Sequence, residues 1–178
     1  MKNVFKFYLS AILFTAAPVF ATEGMAVIDM RTAVLSTQAA TDAFKALEED
    51  ADYSSNLEEA KSLQAERQAM AEKLQKDLET LSQQEIAEMQ KDIQEKGKDL
   101  EFLGGKLQQA QEETAQKVFA SSGAAMQKII GELIQAKQIK ILLSKSESIL
   151  FSDPSLDLTD DVTSMLDVAA SEANTQSE

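Results

Sequence analysis

Carboxylates are the only side chains in this sequence that are both abundant and capable of acid and base chemistry. The 178 residues include 30 Asp and Glu and 17 Lys and Arg, but no histidine and no cysteine. The usual zinc ligands and the Cys-His and Ser-His nucleophilic pairs are therefore missing. Two carboxyl pairs, Asp157 with Asp160 and Glu58 with Glu59, have the residue types that a hydrolase uses.

Neither carboxyl pair has the surroundings that catalysis needs. Acidic residues on a long helical arm face water, and no apolar pocket is predicted that would raise the pKa of one carboxyl selectively. No glycine-rich phosphate loop follows a predicted strand, which argues against ATP use. A net charge of −13 disfavours nucleic acid as a partner, because phosphate binding needs a basic surface. We predict a protein that is not an enzyme and uses no cofactor.

The densest acidic cluster in the sequence has the residue type that calcium binds. It consists of Asp153, Asp157, Asp160 and Asp161. Calcium prefers carboxylate oxygens, but the segment lacks the spacing of a twelve-residue calcium loop. A turn aspartate, a loop aspartate and two acidic residues after a Thr159 helix cap explain the cluster better, since acidic side chains complement a helix N-terminus. The sequence predicts no metal site.

A long helical region must position these residues. No proline occurs between Pro18 and Pro154, and residues 41–137 are rich in Ala, Glu, Gln, Lys and Leu. Because globular helices usually run about 8 to 20 residues, the region predicts a coiled coil or a helical hairpin. Its aromatic-poor composition provides little core for a single copy, which favours oligomerisation.

Apolar residues in this region recur at steps of three and four, as in a coiled coil. The predicted seam comprises Leu63, Met70, Leu74, Leu78 and Leu81, then Ile86, Met89, Ile93, Leu100, Leu103, Leu107 and Ala110. Between the two stripes, Ser82 and Glu85 form a capping box, which predicts a new helix start. One unbroken helix is the alternative, but an antiparallel hairpin would bury both stripes. We predict a hairpin arm over residues 41–137 with its tip near residues 82–85.

Three glycines weaken the second helix of this arm. Gly97, Gly104 and Gly105 lie within nine positions, and each costs about 1 kcal/mol relative to alanine inside a helix. We predict that they form a hinge.

Short apolar segments flank the arm. Residues 25–30, 139–144 and 149–151 have the length and alternation of strands, and Thr159 starts a last helix. The predicted fold is mainly α with a small β body, in the order β-α-α-α-β-β-α. Residues 22–40 and 138–167 form this trimerisation body, and residues 168–178 are predicted to be a disordered tail. The predicted oligomer contacts are Ala26, Ile28, Met30, Ile141, Leu143, Ile149 and Phe151.

The first residues predict export. Residues 1–21 have a basic start, an apolar stretch and small residues before Ala21, as in a cleaved signal peptide. A membrane anchor is disfavoured because the apolar stretch is shorter than the ~20 residues that span a bilayer. The mature chain would have a net charge of −15 and no cysteine for disulfides.

Two segments carry a family resemblance. Residues 26–30 (Ala-Val-Ile-Asp-Met) and 150–162 (LFSDPSLDLTDDV), with the order of elements between them, resemble the Skp (OmpH-like) periplasmic chaperones. The resemblance covers residues from about Met25 to Leu166 and is most specific at its terminal motif. It implies a homotrimer in the periplasm, whose three hairpins surround a cavity that holds unfolded outer-membrane proteins.

The charge of the arm departs from the basic arms of some members of that family. Residues 42–117 carry 10 Lys and Arg against 19 Asp and Glu. Acidic arms argue against direct binding to lipid or lipopolysaccharide, and they suit clients with basic segments. Two functions follow from the sequence: an ATP-independent holdase for unfolded outer-membrane proteins, or a structural coiled-coil adaptor that spaces a periplasmic envelope complex.

Because the sequence offers no phosphate loop and no calcium loop, client protection should need neither nucleotide nor metal. In a light-scattering assay, EDTA should leave the suppression of client aggregation unchanged. Loss of suppression with EDTA and its return with calcium would make the acidic cluster near Asp157 a metal site.

Overall fold

The computed structural model describes residues 24–175. The predicted signal peptide, residues 1–21, lies outside the described residues. In chain order the elements are β1 (Met25–Ile28), α1 (Met30–Leu35), α2 (Gln38–Glu49), α3 (Ala51–Lys76), α4 (Gln83–Ala136), β2 (Ile141–Ser144), a short 3-10 helix (Pro154–Leu156) and α5 (Thr159–Thr175). The fold is mainly helical with a small sheet, as the sequence predicted.

The two described strands form a parallel sheet. Met25 lies opposite Ile141, and Ile28 lies opposite Ser144. On its other side β1 makes a bridge to Asp157, where the Leu158 amide donates to the Val27 carbonyl at 2.9 Å. In the described part of the chain β1 is therefore the inner strand and β2 is an edge.

The second strand predicted after the arm is absent from the described structure. Residues 149–151 have no ladder partner, and Leu150 and Phe151 are almost fully exposed. The prediction of a strand here was wrong for a single chain, because an apolar segment becomes a strand only when another strand lies beside it.

The first helix of the arm, predicted to be continuous from residue 41, is interrupted at Asp50. Asp50 has an extended ψ of 133°, and its carboxylate accepts hydrogen bonds from the amides of Asp52 and Tyr53, both at 3.0 Å. A side chain that caps a new helix start competes with continuation of the old helix. Asp50 thus separates α2, which packs on the body, from α3, which belongs to the arm.

Helices α3 and α4 form an antiparallel hairpin, and the predicted seam is confirmed with one exception. All seam residues are half-buried or buried except Leu78, which is 53% exposed. Three pairs join the helices at matching distances from the turn. Gln111 Nε2 donates to the Tyr53 hydroxyl at 2.7 Å, Lys96 bonds Glu66 at 2.5 Å, and Gly97 faces the Arg67 guanidinium.

The capping box predicted at Ser82 is present. The Glu85 amide donates to the Ser82 hydroxyl at 3.3 Å, and the Ser82 amide donates to the Glu85 carboxylate at 2.8 Å. The Ser82 hydroxyl donates to the same carboxylate at 2.7 Å, and this bond together with the bond from the Ser82 amide lowers the pKa of the Glu85 carboxyl. The turn itself occupies residues 77–82, so the tip lies just before the predicted 82–85. Ser82 ends the turn and Glu85 is already helical.

The body is built around the second half of α4. One buried cluster joins it to β1, α1, α2 and α5, and its members are Ile28, Ala33, Val34, Ala40, Val118, Ile129, Leu133, Val162 and Leu166. Val118, Ile129 and Leu133 lie within residues 41–137, the predicted arm, so the last part of this helix also belongs to the body. Periodicity identifies a buried helix face but not the element that covers it.

The last helix continues to Thr175, so the predicted disordered tail was wrong for residues 168–175. Small and polar residues can continue a helix whose preceding turns are packed against the core, because extending a helix costs less than starting one. Val162 and Leu166 provide that anchor, because both lie in the buried cluster.

Helix α4 runs without a break through Gly97, Gly104 and Gly105. The hinge stays a prediction, since a continuous helix can still open locally at weak positions. A Cβ added at Gly104 or Gly105 would meet nothing within 4 Å.

Replacing both Gly104 and Gly105 by alanine should raise the free energy of unfolding by about 2 kcal/mol, because both positions are helical and open. Urea unfolding at one protein concentration measures this. Gly24→Ala is the opposite control. Gly24 has a φ of +89° and its Cβ would lie 2.9 Å from Lys140 Cγ, so stability should fall.

Amide exchange tests the hinge itself. Residues 97–106 should exchange faster than Met89 and Leu107 in the wild type, and the double alanine variant should remove the difference. Equal exchange along α4 in the wild type would rule the hinge out.

Candidate functional site

An apolar surface lies around the edge strand β2. Ile141 is 49% exposed, Leu143 39%, Leu150 97% and Phe151 84%. All four residues lie within or shortly after β2. Exposed apolar side chains next to an unpaired strand edge are typical of a surface that another chain covers.

The residues predicted to contact other subunits divide into two groups. Met30, Ile141, Leu143 and Phe151 are exposed, and Ile149 is half-buried. Ala26 and Ile28 are instead 4% and 2% exposed, and Ile28 belongs to the chain's own core. The single chain therefore has a small core of its own, because β1 is covered by other elements of the same chain. Assignment of the exposed residues to a subunit contact stays a prediction.

Asp157 holds the elements behind this surface together. Its Oδ1 accepts from the Thr159 amide at 2.9 Å and from the Thr159 hydroxyl at 2.5 Å, while its Oδ2 accepts from Lys145 Nζ at 2.8 Å. The same Thr159 hydroxyl oxygen accepts from the Asp29 amide at 3.0 Å. Asp157 thus links the start of α5 to the loop after β2 and, through Thr159, to the end of β1.

The charges of this network follow from these contacts. Partial burial raises the pKa of Asp157, but the hydrogen bonds from Lys145 and Thr159 lower it by more, so the net shift is downward. The hydrogen bond to Asp157 raises the pKa of Lys145. The pair is thus charged over a wide range around neutral pH. Asp29 has a lowered pKa because the Thr32 amide and hydroxyl donate to it.

The remaining acidic residues of the cluster have ordinary structural partners. Asp153 caps the 3-10 helix by accepting from the Ser155 amide at 2.9 Å, and Asp161 pairs with Lys137 at 2.8 Å. The predicted helix cap is shifted, because Thr159 is the first residue of α5 and Asp157 accepts its amide. Among residues 24–175, no three acidic side chains converge as metal ligands would.

The two carboxyl pairs considered for catalysis are not brought together as acid and base. Glu58 lies on the exposed face of α3 and pairs with Lys61 at 2.9 Å, and Asp157 is committed to Lys145 and Thr159. The surface of the arm is open to solvent, because the apolar residues of the seam pack between the two helices of the hairpin. The solvated sides of the arm are the surface that remains for another molecule.

Residues 24–166 match the sequence profile of a family described as "Outer membrane protein (OmpH-like)". The match spans the sheet, the whole hairpin and the first half of α5. The chain belongs to the OmpH-like family. The resemblance seen in the terminal motif is thereby confirmed.

Similarity to other proteins is weaker. A crystal structure of a candidate outer membrane chaperone (OmpH-like) from Caulobacter crescentus CB15 is 21% identical, covers 84% of this chain and 86% of that chain, and has a TM-score of 0.47. No curated protein matches significantly. The family assignment rests on the family profile alone. None of the helices within residues 24–175 of this OmpH-like protein has the length and hydrophobicity of a membrane span.

Sequence reasoning missed the role of Asp157 and its partner Lys145. The spacing of Asp157 and Thr159 is a local capping signal that could have been found, since an Asp can accept the amide two residues later. The pairing with Lys145 spans 12 residues through an irregular loop, and no periodic pattern predicts it.

Asp157→Ala should lower the free energy of unfolding by about 1 to 2 kcal/mol, because Thr159 and Lys145 lose their acceptor. Asp157→Asn, which keeps an acceptor for Thr159, should cost less. Since the Asp157 pKa is lowered, its contribution in the wild type is present above the unfolded value near 3.8 and is lost as pH falls through the folded pKa.

Urea unfolding between pH 7 and pH 3 checks this prediction. The stability difference between wild type and Asp157→Asn should shrink at the acid end. A difference that stays constant down to pH 3 would contradict the assigned role of the carboxylate. Between about pH 5 and 9 the stability difference between wild type and Asp157→Asn should stay constant. Lys145 keeps its proton over this range, because its pKa is raised above the usual 10.5.

Proposed function

We propose that this protein is an ATP-independent holdase chaperone of the periplasm, which encloses unfolded outer-membrane proteins between the arms of a homotrimer. Family membership over residues 24–166 carries the proposal. The signal peptide that the sequence predicts at residues 1–21 is consistent with this location. Client release needs no energy source in this scheme, because many weak contacts bind tightly together while each one dissociates quickly.

The shape of the arm supports binding rather than catalysis. Helix α3 has 26 residues and extends for about 39 Å at 1.5 Å per residue, and α4 runs beside it from the tip into the body. An arm of this length exposes side surfaces to a large, irregular partner. An unfolded polypeptide is such a partner, and it can be held without being fitted to a pocket.

The trimer is proposed from the edge of the sheet. Strand β2 is an edge among the described residues, and four exposed apolar side chains lie within it or in the segment that follows it: Ile141, Leu143, Leu150 and Phe151. A neighbouring subunit that pairs with β2 would cover this surface and satisfy its backbone groups. A closed ring of such contacts leaves no edge exposed.

The acidic arms shape the choice of client. With 19 acidic and 10 basic residues over 42–117, the arms repel one another and repel anionic lipid. They therefore favour polypeptide clients over membrane surfaces. Screening at high salt should weaken this preference, because the Debye length is only about 8 Å at physiological ionic strength.

The direct test is a light-scattering assay in which urea-unfolded β-barrel proteins are diluted into buffer with or without the protein. Several unrelated barrels should stay soluble without nucleotide. A structural adaptor would recognise one folded partner and leave all of these clients to aggregate. That second outcome would overturn the holdase proposal.

Leu143→Lys should break the trimer, because a charge in the edge strand opposes pairing with a neighbouring strand. Sedimentation equilibrium should give three chains for the wild type and a lower mass for the variant. Val168→Lys is the matched control, since Val168 is 56% exposed on α5 and lies away from the sheet edge. A folded wild-type monomer at micromolar concentration would contradict the trimer.

A further inference from the structure

The arm carries an exposed aromatic side chain near its middle. Phe102 lies on α4 and is 64% exposed, whereas its neighbour Leu103 is buried in the seam. Among the described residues, Leu78 in the tip and Ile134 near the end of α4 are the other large apolar residues exposed on the hairpin, and Ile134 lies within the body. Phe102 therefore contributes little to holding the hairpin together, and its ring is available to a partner.

A glycine leaves one side of this ring without a neighbouring side chain. Helical side chains lean toward the helix N-terminus, so a side chain one turn after Phe102 can reach toward its ring. Gly105 follows Phe102 by three positions and so lies on the adjoining face. A Cβ added at Gly105 would meet no atom within 4 Å, so the space above Gly105 is open.

The ring lies between two lysines on the same helix face. Lys106 places its Nζ 4.7 Å from the ring centroid, and Lys98 lies one turn before Phe102. Neither lysine forms an ion pair within the part of the chain that the structure describes. Asp99 borders the same face, so the three charges leave a small positive excess on an arm that is acidic elsewhere.

We propose that Phe102, Lys98 and Lys106 form a docking point for unfolded polypeptide segments in which an aromatic side chain lies next to a carboxylate. The aromatic side chain packs in the open space beside Phe102 and Gly105, and a lysine pairs with the carboxylate. This inference rests on the proposed holdase function and deepens it, because it names arm residues that hold the client. At this docking point the client segment would be acidic, whereas the net negative charge of the whole arm favours basic segments.

Fluorescence titration tests the docking point. The chain has no tryptophan, so emission from a tryptophan-containing peptide reports the peptide alone. Two short disordered peptides serve as probes, one alternating Trp with Glu and one alternating Trp with Lys. The wild type should bind the Glu peptide several times more tightly, and the double variant Lys98→Gln, Lys106→Gln should lose this difference.

Phe102→Ala should weaken binding of the Glu peptide about fivefold to tenfold, as expected for the loss of an aromatic contact. Gly105→Leu, which covers the ring while favouring the helix, should weaken it similarly. Leu78→Ala removes an equally exposed apolar side chain at the tip and should leave binding unchanged. Circular dichroism checks that each variant keeps its helices.

Binding by Phe102→Ala within twofold of the wild type would overturn the docking point, and so would equal affinity for the two peptides. Failure of the holdase function is a separate result. It would appear as wild-type protein that does not prevent barrel aggregation, whatever the peptide titrations give. Wild-type suppression together with unchanged binding by Phe102→Ala would overturn the docking point alone.

Discussion

Burial of the second half of α4 is the interaction on which the rest of the structure depends. Val118, Ile129 and Leu133 of this helix meet residues of β1, α1, α2 and α5 in one small cluster. Each fully buried side chain of this kind contributes about 1.5 to 3 kcal/mol. Because the same helix continues unbroken to the arm tip, these few contacts also fix the direction in which the arm leaves the body.

This constraint explains why the arm can be both long and open. Helix α3 needs no core of its own, since it packs along a helix that is anchored elsewhere. The hairpin is completed by the seam and by a few polar links, such as Tyr53 to Gln111 and Glu66 to Lys96. The hydrogen bond between Glu66 and Lys96 lowers the pKa of Glu66 and raises that of Lys96, so the link stays charged near neutral pH. What remains for a partner is the solvated side of each helix.

Local signals in the sequence predicted the features that one segment determines by itself. The seam and the Ser82 cap are examples, because heptad spacing and a capping box act over a few residues. Asp50 gave a signal of the same kind that was overlooked within a strongly helical composition. The break between α2 and α3 depends on that one side chain.

Features that depend on a partner element could not be predicted in the same way. Amphipathic spacing in α4 looks alike at Leu107 and at Ile129, although the first faces α3 and the second faces the body. Residues 149–151 have the composition of a strand, but no strand lies beside them among residues 24–175. Asp157 pairs with Lys145 because the fold brings two separate segments together, and no local pattern predicts this contact. The open space at Gly105 likewise depends on which elements pack against α4.

Site-specific crosslinking can show whether the sides of the arm hold unfolded clients, as we propose. The chain has no cysteine, so a single introduced cysteine can carry a photocrosslinker without interference. Gln94→Cys places the probe on an exposed arm position, and Ala170→Cys places it on the exposed side of α5. An unfolded barrel protein should crosslink strongly to position 94 and weakly to position 170. Equal crosslinking at both positions, or crosslinking at position 170 alone, would show that the arm is not the binding surface.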